Sequence, residues 1–230
     1  MCYYEHMKKL FGIVAALSLT TPVLAEPEIK QWNTMHSMGC MLVRDCTTGV
    51  VKADTVPLLE EQFGLKFDKN EADELNDILL SLKDLGIEVF VSDPKYFVRN
   101  TRGIYHTEGN KFFLNPQYLS STQEVLSVIR HEGWHAVQDC MAGTLQNTHI
   151  AVVWQDGRVP QGYRLRADVL YGDRAAPWEA EAMWAMETPF MTANALRACA
   201  APKPIWDVYP PTPMTGEWLV ENGYWDGVTK

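Results

Sequence analysis

Three rhythms of apolar residues follow one another between residues 69 and 141. In KNEADELNDILLSLKDLG (69–86), Leu75, Ile78, Leu79, Leu82 and Leu85 recur at three- and four-residue intervals, the stripe of an amphipathic helix that Gly86 ends. IEVFVS (87–92) gathers β-branched and aromatic residues in a short run and predicts a strand. GIYHTEGNKFFLNP (103–116) predicts a hairpin, two short strands turning at Glu108-Gly109-Asn110. From Ser121 the spacing is helical again: Val125, Leu126, Val128, Ile129, Ala136, Val137, Cys140 and Met141 read as a buried helix. Ser121 and Glu124 stand at capping-box spacing, and Gly143 is a natural stop. Gly133 costs about 1 kcal/mol against alanine in mid-helix; its missing side chain leaves room for a strand, a substrate or a tight packing contact. Helix, strands, then helix predict a compact α+β domain.

Outside this span the pattern weakens. Residues 26–55 have mixed composition and read as loops, and 144–176 carry few periodic signals and read mostly as loop. PWEAEAMWAME (177–187) predicts a helix with Pro177 in its first turn. Residues 201–230, rich in proline and tryptophan, read as an irregular strap over a domain formed by 26–200. At the other end, MKKLFGIVAALSLTTPVLAEP starts at Met7: two lysines, an apolar run from Leu10 to Leu19, then small residues at Val23-Leu24-Ala25. This is the pattern of an export signal, too short for a membrane span, so 1–25 fall outside the domain and MCYYEH lies upstream of the start.

Charge narrows the partners. The formal net charge is −9, and removal of Glu5, Lys8 and Lys9 with the signal takes it to −10. An acidic chain repels phosphate backbones, so nucleic acid is excluded, and no basic amphipathic stretch suits a membrane surface. By steering, the net charge favours basic or neutral peptides. Cleavage removes Cys2 and leaves Cys40, Cys46, Cys140 and Cys199, an even number that suits disulfides in the periplasm or outside the cell. The pairing Cys40–Cys46 would close a short loop, and Cys140–Cys199 would join two helix ends.

The chemistry lies in RHEGWHAVQDC, residues 130–140. On a helix His131 and His135 share one face a turn apart, placed to meet one Zn²⁺. Glu132 is turned about 100° away, too far round to ligate with them but near enough to take a proton from water at the metal. Gln138 and Asp139 are placed either to orient a ligand or to end the helix in solvent. A catalytic zinc needs a third protein ligand, and His36, His106 and His149 have no ligand-like spacing. Glu179 shares a helix face with Ala182, Met183, Met186 and Phe190, and a carboxylate on an apolar stripe needs a counter-charge. Glu181 falls on the opposite face, near Thr188, where solvent is expected. Glu179 is therefore the choice.

His131-Glu132-x-x-His135 followed by a helix carrying Glu179-Ala180-Glu181-Ala182 resembles the zincin metallopeptidases of gluzincin type, over residues 103–187. The resemblance implies a zincin-like fold, an edge strand that aligns an extended peptide, and zinc held by His131, His135 and Glu179 with Glu132 as general base. Met183 stands where such helices often carry aspartate or asparagine. Asp168-Val169-Leu170-Tyr171-Gly172 is similar to the end of the aspzincin motif, without its Gly-Thr, and makes Asp168 a competing ligand. Tyr171 would donate to the oxyanion under either scheme, and Tyr163 or His149 could do the same. The expected function is a zinc-dependent peptidase or amide hydrolase acting on peptides or proteins. The alternative is a zinc-stabilised binding protein without turnover.

Overall fold

The computed structural model describes residues 25–201 except 143, 144, 146, 147 and 155–157, with 173 and 174 as backbone alone. The expected export signal up to residue 24, Gly143 and all of the expected 201–230 strap but its first residue lie outside the described residues. The order is α1 (Met35–Leu42), β1 (Val50–Lys52), α2 (Val56–Phe63), α3 (Lys69–Asp84), β2 (Glu88–Ser92), β3 (Gly103–His106), β4 (Lys111–Leu114), α4 (Thr122–Met141), α5 (Gln161–Glu187) and α6 (Met191–Ala200). This is an α+β domain. The helix 69–86, the strand 87–92, the hairpin and the histidine helix stand where the apolar rhythm places them.

The four strands run β1-β2-β4-β3. β2 and β4 are parallel, while β1 and β3 pair antiparallel at the two edges. Alternation along the strands gives each face of the sheet its own core. Val89, Val91, Phe112 and Leu114 join α3, α4 and α6 in the larger core. Phe90 and Phe113 point the other way, stacked at 5.3 Å between ring centroids, and pack with Met38, Met41, Tyr96 and Phe97. Burying one such aliphatic or aromatic side chain stabilises the fold by about 1.5–3 kcal/mol.

Local signals set the helix ends. Asp68 and Glu71 form a reciprocal capping box on α3. On α4 the Ser121 side chain accepts from Glu124 N, but the Glu124 carboxylate turns to Ser120 N and Oγ, so the expected box is half made. Gly133 is explained by packing: a Cβ there would stand 2.9 Å from Thr192 Cγ2, so α4 and α6 meet at this point. Thr192 and Leu196 of α6 and Ile78 of α3 fill that space.

Three expectations need correction. Residues 26–55 are not only loop: they hold α1, capped by Thr34, and the edge strand β1. Residues 161–176, expected as loop, belong to α5. A kink at Gly172 (φ 73°) divides α5 into an outer arm with exposed Leu165, Val169 and Leu170 and an inner half packed on α4. That exposed apolar surface is why no one-sided rhythm marks the arm. Pro177 lies inside the second half rather than in a first turn. Cys40–Cys46 closes the loop after α1, and Cys140–Cys199 ties α4 to α6. No described helix is long and apolar enough to cross a membrane.

Candidate metal centre

Gly103 allows the edge strand to lie against the histidine helix. A Cβ at Gly103 would stand 2.7 Å from Val128 Cγ1 and 3.0 Å from Glu132 Cγ. β3 and α4 therefore approach closely beside Glu132. They form one side of a cavity of about 930 Å³, and α5 supplies the other through Arg166, Leu170, Tyr171, Glu179 and Met183.

His131, His135 and Glu179 meet inside it, each offering a ligand atom within 4.8 Å of the others. His131 Nε2 lies 3.4 Å from Glu179 Oε2, and His135 Nε2 lies 3.7 Å from Glu179 Oε1. Ligand atoms around one tetrahedral zinc are about 3.3 Å apart, given bonds of about 2.0–2.1 Å. Glu179 Oε2 is buried without a hydrogen bond among the described residues. Two imidazole nitrogens and an unsatisfied carboxylate oxygen at this spacing could hold a metal ion. Burial pushes the Glu179 carboxyl up, but His131, His135 and the Tyr171 phenol outweigh it and hold it below the ordinary range.

A buried network fixes His135. Gln138 Nε2 donates to the Trp178 carbonyl (3.0 Å) and to Glu181 Oε2 (2.8 Å), which leaves Gln138 Oε1 to face His135 Nδ1 at 2.8 Å. An amide oxygen only accepts, so Nδ1 carries the proton and Nε2 presents its lone pair to the cluster. Glu181 anchors Gln138 in turn. Its carboxylate accepts from Trp134 Nε1, Gln138 Nε2, Val153 N and Trp154 N. Burial pushes its pKa up to about 7 against those four donors.

Glu132 is nearly buried, and its Oε2 accepts from Tyr105 N at 3.0 Å. Burial pushes it up to about 7; His135 pulls it down, Glu179 pushes it up and the Tyr105 N–H pulls it down. One helical turn pair further on, Asp139 Oδ2 accepts from the Tyr105 hydroxyl at 2.7 Å. The residue that bonds Glu132 through its backbone is thus fixed by its side chain to the same helix.

The structure brings together His131, His135, Glu179, Glu132 and Tyr171 and leaves the other candidates apart. Asp168 is exposed on the α5 arm and outside the cluster. Tyr163 donates to Glu187 at 2.8 Å, and neither Tyr163 nor His149 lines the cavity. Glu181 is fully buried, not solvent-facing, because the Ala-rich inner half of α5 is covered on nearly every side. Gln138 and Asp139 are likewise fully buried and bonded inward rather than ending the helix in solvent. Tyr105 escaped notice because nothing in a hairpin sequence marks a bond to a helix residue. Comparison of the chain with family models, with curated proteins and with solved structures finds no match.

Proposed function

We propose that the protein is an exported zinc-dependent peptidase or related amide hydrolase. One observation carries this reading: two imidazoles from α4 and a carboxylate from α5 converge beside a sequestered glutamate, in a cavity bordered by an edge strand. His131, His135 and Glu179 would hold the metal. Zinc bound there supplies Lewis acidity, which lowers the pKa of water toward about 7 and polarises a carbonyl.

The protein's own groups do the rest. Glu132 takes a proton from the attacking water and delivers it to the leaving amine. Its burial favours this, because a carboxylate raised to about 7 is a stronger base than one in water. Tyr171, about half exposed, is pushed up to about 12 by partial loss of solvent and by Glu179 and Glu132, so it keeps its proton at neutral pH and can donate to the oxygen that gains charge. On β3 the Tyr105 N–H points away from β4 toward Glu132, and Gly103, two residues earlier, shares that edge. An extended peptide laid along this edge would meet backbone groups within reach of the cluster. Two disulfides suit export to the periplasm or beyond.

The test is Glu132→Gln in the zinc-supplied protein. Peptide cleavage should vanish while zinc content stays stoichiometric. Wild-type protein that takes up no zinc would end the reading, and cleavage retained by the variant would remove Glu132 from its role. The Tyr105 N–H on Glu132 is also what a purely structural acid would show. Stoichiometric zinc with no cleavage of a peptide panel by wild type would therefore favour the zinc-stabilised binding protein.

A further inference from the structure

The cavity's charge opposes that of the chain. Among the described residues that line it, the only carboxylates are Glu132 and Glu179, both at the cluster. The other charged residues among these are Arg99, Arg102 and Arg166, all three exposed. Arg99 and Arg102 stand in the segment leading into β3, and Arg166 stands on the α5 arm across the cavity. Their carboxylate neighbours leave most of this charge available. Arg166 Nη1 lies 3.5 Å from Glu187 Oε1, a half-exposed pair that Tyr163 shares, and Arg102 feels Glu124 only through space. Arg99 has no ion-pair partner among the described residues. Three guanidiniums around one opening, in a chain of net charge −9, form a local positive field that the net charge conceals.

We infer that this cavity selects peptides bearing carboxylates close to the cleaved bond, the reverse of what the net charge suggests. The inference rests on the peptidase reading for the identity of the bond, but not for the preference itself. Arginine suits the task because its planar fork binds a carboxylate through two parallel N–H donors and stays charged at any working pH. The arginines are exposed, so the preference is sensitive to salt and is expressed in capture of the peptide more than in the reaction step. The carboxylate can be an acidic side chain or the peptide's own C-terminus. Both offer the same chemistry, and end-capped peptides separate them.

The test uses the full mature protein, zinc-supplied, and three sets of short peptides that differ only in carrying Glu, Gln or Lys at each position around a common core. Each set is made with free and with amidated C-termini. Cleavage by wild type should rank Glu over Gln over Lys, and added salt should compress the ranking. In Arg99→Gln/Arg102→Gln/Arg166→Gln the Glu-to-Gln ratio of kcat/KM should fall, each arginine contributing about two- to fivefold. A preference that survives amidation comes from side chains, and one that disappears comes from the terminus. Calorimetric binding of the same peptides to zinc-loaded Glu132→Gln is the second arm and needs no turnover. Tighter binding of the carboxylate-bearing peptides, lost in the added triple Arg→Gln background, supports the inference even if wild type cleaves nothing and the peptidase reading fails. Equal or reversed ranking in both arms overturns it, whether or not cleavage occurs.

Discussion

Replacing Gln138 by leucine isolates the contact that directs His135 toward the metal. The side chains are similar in size, so the variant removes polar atoms without opening a large cavity. His135 Nδ1 loses its 2.8 Å acceptor, the Trp178 carbonyl loses a 3.0 Å donor, and Glu181 loses one of its four. Each buried group left unsatisfied costs about 1–3 kcal/mol, and the new apolar burial returns about 1.5–3 kcal/mol. Three such losses less that return leave a net destabilisation of about 1.5–6 kcal/mol. The effect on metal is a separate quantity. Loss of a group that fixes a ligand histidine typically weakens metal binding about 10- to 100-fold, which is about 1.4–2.7 kcal/mol. Competition against a chelator of known zinc affinity measures this, with urea unfolding in parallel. Trp134→Phe is the control. It also removes a donor to Glu181 but leaves Gln138 in place, so it should lose stability with little change in zinc affinity. A folded Gln138→Leu protein that binds zinc within about twofold of wild type would refute the orienting role.

Gly103→Ala should force β3 away from α4, because the added Cβ would press on Val128 and Glu132. Peptide cleavage should fall about tenfold or more with zinc content unchanged; unaltered kcat would mean the strand yields without moving Glu132. Glu74→Ala should cost about 3 kcal/mol in chemical unfolding, since it strands the largely buried Arg130, held by two bonds of 2.8 and 2.6 Å, and frees Phe190 N. Asp139 gives a pH signature. Burial raises it from 3.8 to about 7, against the Tyr105 hydroxyl. The folded state therefore binds its proton more tightly than the unfolded chain, and stability is lost as pH rises from about 4 through 7. Asp139→Asn should flatten that fall by one proton's worth, about 1.4 kcal/mol per pH unit, read from unfolding curves across the range. An identical slope in the variant would contradict the assignment.

The parts of the fold legible in the sequence are those with a one-sided environment. α3 packs one stripe inward, so Leu75, Ile78, Leu79 and Leu82 mark it, and the hairpin declares itself by its turn. The α5 arm was illegible for the opposite reason: its apolar residues Leu165, Val169 and Leu170 are exposed, so rhythm and burial part company. Among the site residues, the four-residue interval fixes His131 and His135 because helical geometry alone brings them together. Glu179 followed from a face of methionines and alanine. The same reasoning misplaced Glu181, since it assumes a helix with a wet side, and the inner half of α5 has almost none. The bonds from Gln138 to Glu181 and from Tyr105 to Glu132 and Asp139 join residues distant in sequence, and no local pattern encodes them. The arginine rim is hidden by a net charge that averages over the whole chain.

The central claim is most directly tested by diffraction from zinc-supplied crystals at wavelengths on either side of the zinc absorption edge. One anomalous peak is expected, present above the edge and lost below it, bonded at about 2.0–2.2 Å to His131 Nε2, His135 Nε2 and a Glu179 carboxylate oxygen. No peak between those three groups, or a zinc held by Asp168, Glu181 or other residues instead, would contradict it.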